Sequence, residues 1–242
     1  RIVFAVLHLS LLWYVLAPTK PIPLTEDHVA MVKIEGVLQS AKEPWYQALE
    51  RVYQDQKAKA LILHINSPGG VVHVADSASH LLKRIRRRMP IISVVDMQAA
   101  SAAYLLACES DRIFAKATSI VGSIGVVSSV VVVKDLMEKL GIEYKPSEKT
   151  QTITDIPFLG LTDFIKKHLY LAGEDSYQWF QTIVQRGRGL TEKELSNVVD
   201  GKIFLGNEAK QRGLIDAYGD ISSALSWLGD RAGALPLVDY SA

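Results

Sequence analysis

A single cysteine, Cys108, in 242 residues excludes an intramolecular disulfide and any site built from several thiolates. Its setting, "YLLACES", is apolar, so it reads as a small buried hydrophobe. Charge of one sign is lacking too: 27 Lys and Arg face 26 Asp and Glu, leaving a net charge of +1. The chain as a whole therefore has no basic field of the kind that draws in nucleic acid. It contains no repeat of short fixed period and no low-complexity tract. With 48% hydrophobic and 22% charged residues, it is long enough for one sizeable domain with appendages.

One stretch lacks charge altogether. Residues 2–18, "IVFAVLHLSLLWYVLAP", are flanked by Arg1 and Lys20. As a helix they extend roughly 26 Å, a little short of a bilayer core of about 30 Å. They are expected to form a membrane anchor over residues 1–18, with Trp13 and Tyr14 near an interface. "TKPIPLTED" (19–27), with its two prolines, reads as an extended linker. Residues 28–242 then form the globular part.

There the pattern alternates between two periods. "HVAMVKIEGVL" alternates as a strand and "WYQALERVYQDQ" has helical spacing. "KALILHINSPGG" is a buried strand, expected to halt at Pro68 and the two glycines that follow. "VVHVADSASHLLKRIRRR" is amphipathic and helical, "PIISVVDM" a strand and "SAAYLLACES" a helix. "IEYKP" is expected to continue the alternation as a strand. A polar loop over about 146–160 precedes a long helix from Thr162, and Thr191 with Glu194 carries a capping-box signature. Strand-helix alternation of this kind argues for an α/β fold with a largely parallel sheet.

Three stretches offer chemistry. Gly69 and Gly70 permit left-handed backbone and close approach, and unpaired N–H groups at such a turn suit a developing negative charge. Ser101 stands where a buried strand becomes a helix, among Ala99, Ala100, Ala102 and Ala103. It is either an N-capping serine or a nucleophile at the positive end of a helix. Its segment lacks the G-x-S-x-G elbow, which disfavours an α/β-hydrolase. The run "KRIRRR" (83–88) is either a solvated helix end or a contact for anionic lipid or an acidic neighbour.

Taken together, strand–SPGG–helix, then strand–AAS–helix, then "SIVGSIGV" (119–126) and "DGKIFLGNEAKQRGLID" (200–216) resemble the signal peptide peptidase A (protease IV) family. The resemblance spans roughly residues 28–220. It implies a Clp-protease/crotonase-like fold of repeated ββα units and a membrane-anchored serine protease assembled as a homo-oligomeric ring. It further implies a Ser/Lys dyad cleaving hydrophobic peptides such as released signal peptides, on the extracytoplasmic side of the cytoplasmic membrane. By this resemblance Ser101 is the nucleophile and Gly69 and Gly70 lie at the oxyanion site.

The family's lysine stands a few residues before a Pro-Phe. An ungapped count back from Pro157-Phe158 reaches Thr152, and the nearest lysine is Lys149, so Lys149 is the expected base, with Lys145 as the other candidate. Where the family has Ser-Gly-Gly-Tyr, this chain has Ser101-Ala102-Ala103-Tyr104. These departures define the alternative, a catalytically impaired relative acting as a peptide-binding scaffold. A Ser101/His73 pair lacks an evident Asp or Asn partner. A crotonase-type acyl-CoA enzyme fits the anchor and the "GLID" ending less well. No cofactor is expected, and a metal site from His64, His73 and His80 is disfavoured because His64 lies on the strand before the turn.

Overall fold

The computed structural model describes residues 26–127, 129–145 and 155–241. The expected anchor at 1–18 and most of the linker lie outside them, as do Lys149 and Thr152. Among the described residues no helix is long and apolar enough to cross a membrane.

β1 (His28–Leu38), β2 (Ala58–Gly70) and β3 (Ile91–Ala100) form the middle of the sheet, joined by α1 (Pro44–Gln54) and α2 (Val72–Arg86). α3 (Ala102–Ala107), β4 (Arg112–Ala115) and β5 (Ile120–Gly122) follow. Next come α4 (Lys134–Lys139), α5 (Ile156–Leu159) and the long α6 (Asp163–Arg188). α7 (Glu192–Ser196), β6 (Ile203–Leu205), α8 (Gly206–Gln211), β7 (Ala217–Tyr218), α9 (Ile221–Ala232) and β8 (Leu237–Asp239) close the described chain. The sheet runs β6-β5-β3-β2-β1-β8, with β4 also on β3 and β7 on β4. Every pairing is parallel except β5 with β6.

Strands covered on both faces read as apolar runs, and β2 is the example. Leu61, Leu63 and Ile65 enter a large core with α1, α2, α3 and α6, while Ala60 and Ile62 face a smaller one closed by Ala224 and Leu228 of α9. β3 is shared lengthwise. Its first half, Ile92–Val95, pairs with β4, and its last residues, Gln98–Ala100, pair with β5. The sheet thus forks just before Ser101.

Two expectations are corrected. β2 does not halt at Pro68: pairing with β1 continues to Gly70, with register shifts in the pairings with β1 and β3 just before the turn. An irregularity of this kind tolerates the missing N–H of a proline. The segment expected as a strand at "IEYKP" has no strand in its described part, residues 142–145; the segment before it, "VVVVKDLMEKLG", carries the six-residue helix α4. The long helix begins where Thr162 predicts, its side chain accepting the Ile165 N–H, and the Thr191–Glu194 capping box is formed in both directions.

Candidate active site

Ser101 sits at the N-cap position of α3, yet its side chain makes no capping bond. Its φ of 50° and ψ of −125° place a non-glycine residue in left-handed backbone, a conformation that costs of order 1–3 kcal/mol and persists only where the surroundings impose it. Those surroundings are the other motifs. The Ser101 N–H donates to the Gly122 carbonyl at 2.8 Å, and the Leu105 N–H returns to the Ser101 carbonyl at 3.0 Å. Gly122 has φ 97°, and a Cβ there would meet the Phe204 ring at 2.9 Å and the Lys202 carbonyl at 3.0 Å. Ser123, also left-handed at φ 51°, donates its N–H to that same Lys202 carbonyl at 2.7 Å. "GSIG" and "DGKIF" therefore hold the backbone of Ser101 from behind.

"SPGG" presses from the other side. A Cβ on Gly69, whose φ is 100°, would fall 2.7 Å from the Ala100 carbonyl and 2.8 Å from Ser101 Cβ; only glycine fits. Gly70 is equally constrained but by a different neighbour, its Cβ position lying 2.1 Å from the Leu38 carbonyl of β1. The two glycines do not present equivalent donors. The Gly69 N–H turns back to Ser67 Oγ at 3.1 Å. Val71 donates to the Leu38 carbonyl at 2.8 Å, and since alternate residues of a parallel strand bond to a given neighbour, the Gly70 N–H faces away from β1.

Gly70, Ser101 and Ala102 line one narrow cleft of ≈ 20 Å³, walled by Val72, Leu105, Trp179 and Phe180. The two alanines that replace the family's glycines behave differently. Ala103 is wholly buried in the core, while Ala102, 5% exposed, borders the cleft. Gly125 and Val126 belong both to this cleft and to a groove of ≈ 670 Å³ running between Ile124, Val127 and Val130 on one side and α6 on the other, where Leu161, Leu169, Tyr170 and Tyr177 supply apolar walls.

Of the bases weighed from sequence, Lys149 lies outside the described residues. The ends of its loop are fastened together: Tyr144 Oη donates to Asp155 Oδ1 at 2.5 Å, and the Tyr144 and Phe158 rings stack at 4.6 Å. That hydrogen bond, first among the causes, pushes the Tyr144 hydroxyl pKa up. Lys145 is exposed and paired with Glu143 at 3.1 Å. His73 is exposed on α2 and does not line the cleft. His80 is exposed beside Asp76, and His64 is half-buried on β2. No group of three or more His, Cys, Asp or Glu able to hold a metal ion occurs among the described residues.

Most of the basic run makes contacts within the molecule. Lys83 approaches Glu109 at 3.6 Å and Arg86 pairs with Asp111 at 2.8 Å. Arg84 lies 4.2 Å over the Tyr53 ring, and Arg88 donates to the Tyr53 and Asp55 carbonyls. Cys108 is buried, and loss of solvent, the dominant cause, pushes its thiol up to about 12, as expected of an inert thiol.

Residues 83–235 match Peptidase family S49. A protease-class protein of Methanocaldococcus jannaschii is 33% identical over 182 residues, covering 74% of this chain and 58% of the relative. Protease 4 of Haemophilus influenzae is 26% identical over 209 residues (83% and 34%). The chloroplastic serine protease SPPA of Arabidopsis thaliana is 26% identical over 220 residues (83% and 32%). The chain thus spans little more than half, or less, of these relatives' own length. Among solved structures, the 1510-N membrane-bound stomatin-specific protease superposes with a TM-score of 0.52 at 17% identity, covering 90% of this chain and 95% of that one. ClpP1 of Listeria monocytogenes does so at 0.50 and 14% (78% and 91%). Both likenesses are likenesses of fold, and that fold is Clp-protease-like.

Proposed function

The chain belongs to peptidase family S49, and from that premise we propose that it is a serine endopeptidase acting on hydrophobic peptides, released signal peptides among them. The observation that carries this reading is Ser101: a side chain that caps nothing, on left-handed backbone, at the mouth of an apolar cleft.

In the reaction, Ser101 Oγ attacks the scissile carbonyl carbon as its proton passes to the neutral Nζ of Lys149. The carbonyl oxygen becomes an oxyanion, received by the N–H groups of Gly70 and Ala102. One well-placed donor of this kind contributes about 3 kcal/mol in the transition state. The lysine ammonium then protonates the departing amine, and water attacking the acyl-serine, with the lysine again taking a proton, regenerates Ser101. A lysine does this near neutral pH only when desolvation or a neighbouring cation lowers its pKa, so a covered Lys149 loop is part of the proposal.

The substrate class follows from the walls. The cleft beside Ser101 is narrow and apolar, suiting a small apolar side chain, and the ≈ 670 Å³ groove it joins suits an extended apolar segment. Assembly is the second element. Val127, Val131, Leu136, Leu140, Ile142, Phe164 and Tyr170 are all exposed, and apolar side chains left to water in such number favour a covering partner. A homo-oligomer in which neighbouring protomers complete each site accounts for this. A single membrane anchor at residues 1–18, with the domain on the extracytoplasmic side, completes the proposal.

The test is hydrolysis of a fluorogenic apolar peptide by the wild type, Ser101→Ala and Lys149→Ala, each checked for the same oligomeric state. Cleavage by wild type alone is the expected result. Loss in Ser101→Ala with activity kept in Lys149→Ala moves the base to another residue, and an inert wild type overturns the peptidase reading.

A further inference from the structure

The turn that would receive the oxyanion depends on a side chain outside the scheme above. Ser67 is fully buried, in β2, where its register partner on β3 is Ala99. Pro68 carries no N–H, so the first backbone donor after Ser67 is that of Gly69, and Ser67 Oγ accepts it at 3.1 Å. Gly69 is also the residue of the turn with left-handed φ and with its Cα against Ser101. A hydroxyl bonding the backbone two residues ahead does what a backbone turn bond otherwise does. The bond is buried, and a buried N–H released from its partner must find another or bear the full desolvation penalty.

By the alternation that turns the Gly70 N–H away from β1, the Gly69 N–H lies on the β1 side, where Val37 is its register partner. Without the hydroxyl the Pro68–Gly69 peptide is released to tilt toward that strand, and the φ of Gly69, on which the direction of the Gly70 N–H depends, is no longer fixed. We propose that Ser67 is a positioning residue: by fixing the Pro68–Gly69 peptide from inside the protein, its hydroxyl sets the direction of the neighbouring Gly70 N–H at the cleft that Gly70 and Ser101 share. This rests on the peptidase reading. It adds a polar group that touches neither substrate nor nucleophile and yet sets the geometry of the charge-stabilising site. Misplacement of such a donor by an ångström costs up to about a hundredfold in rate.

The experiment compares full-length wild type, Ser67→Ala and Ser67→Cys. Three quantities are read: kcat and KM on the fluorogenic peptide, inhibition by a peptide aldehyde that forms a tetrahedral adduct, and exchange of the Gly69 amide hydrogen. Ser67→Ala is expected to lower kcat by roughly 10- to 100-fold with KM nearly unchanged. Aldehyde affinity should weaken in proportion, and the Gly69 amide should exchange at least about tenfold faster while amides of β1 keep their protection. Ser67→Cys, similar in size and a weaker acceptor, should fall between, and it carries the comparison if the alanine variant does not fold.

Wild-type kcat, or unchanged Gly69 exchange, in a folded variant overturns the inference. So does a loss in which KM, the aldehyde constant and overall protection all fall together, since that is what a merely structural serine produces. If the wild type is inert, the peptidase reading fails on that result, whereas the hold of Ser67 on the turn is still decided by the Gly69 amide.

Discussion

Tyr104 Oη donates to the carbonyl of Leu214 at 2.7 Å, across 110 residues of chain. Tyr104 is three residues beyond Ser101 and wholly buried, and Leu214 belongs to the "GLID" sequence. Two residues on, Asp216 accepts from both terminal guanidinium nitrogens of Arg188, at 2.8 and 3.0 Å, and from the Ile113 N–H at 2.7 Å. The helix behind the serine is thereby tied to the end of α6 and to β4.

Tyr104→Phe keeps the ring and removes the bond, leaving a buried carbonyl unpaired. A loss of about 1–3 kcal/mol is expected, which for a domain of this size lowers Tm by roughly 2–4 °C per kcal/mol. Thermal unfolding measures it. An unchanged Tm would mean that the Leu214 carbonyl finds another donor.

Asp216 sets part of the acid limit. Burial alone would push its carboxyl pKa up, but the Arg188 fork and the Ile113 N–H outweigh burial and hold it below the usual carboxylate range. A group whose folded pKa is depressed stabilises the protein above its unfolded value and loses that contribution as pH falls through the folded one. Stability should therefore decline from about pH 4 downward, and Asp216→Asn should flatten this limb. At neutral pH the same variant should be less stable by about 3–5 kcal/mol, because Arg188, with 6% side-chain exposure, is left without its counter-charge.

Gly69→Ala tests the close approach. With φ at 100° and Cβ contacts of 2.7 and 2.8 Å to backbone and to Ser101, neither the torsion nor the space accommodates a methyl group. The variant should lose about 2–4 kcal/mol of stability and most of its peptidase activity. Retention of both would show that the turn moves away from Ser101 in solution.

Ser101 itself makes an asymmetric prediction. Ser101→Ala and Ser101→Gly should be equally inactive, yet the glycine variant should be the more stable by about 1 kcal/mol, since it alone adopts φ 50° without strain. Denaturant melts of the two decide it, and equal midpoints would place Ser101 in ordinary backbone.

Much of this was legible in the residues because short-range chemistry decides it. Thr162 and the Thr191–Glu194 pair mark their helix starts by capping, and the apolar runs of β2 and β3 follow from burial on both faces. Ser101 could be located as a serine at a strand-to-helix turn, but not told apart from a cap, because its φ is imposed by Gly122 and Gly69, 21 and 32 residues away. Pro68 was misleading for a related reason: a proline stops a regular ladder, and only the register shifts, set by two neighbouring strands, let β2 run on. The division of labour between Gly69 and Gly70 was hidden too, since it depends on where Ser67 and Leu38 point.

The arginines bracketing Tyr53 carry a consequence for how anything reaches this protein. Lys83 and Arg86 face carboxylates, whereas Arg84 and Arg88 are held by a ring and by carbonyls, which fix a guanidinium in place without cancelling its charge. The face around Tyr53 therefore presents fixed positive charge, and encounter with an anionic partner there should slow as ionic strength rises, while selection after contact is left to apolar fit.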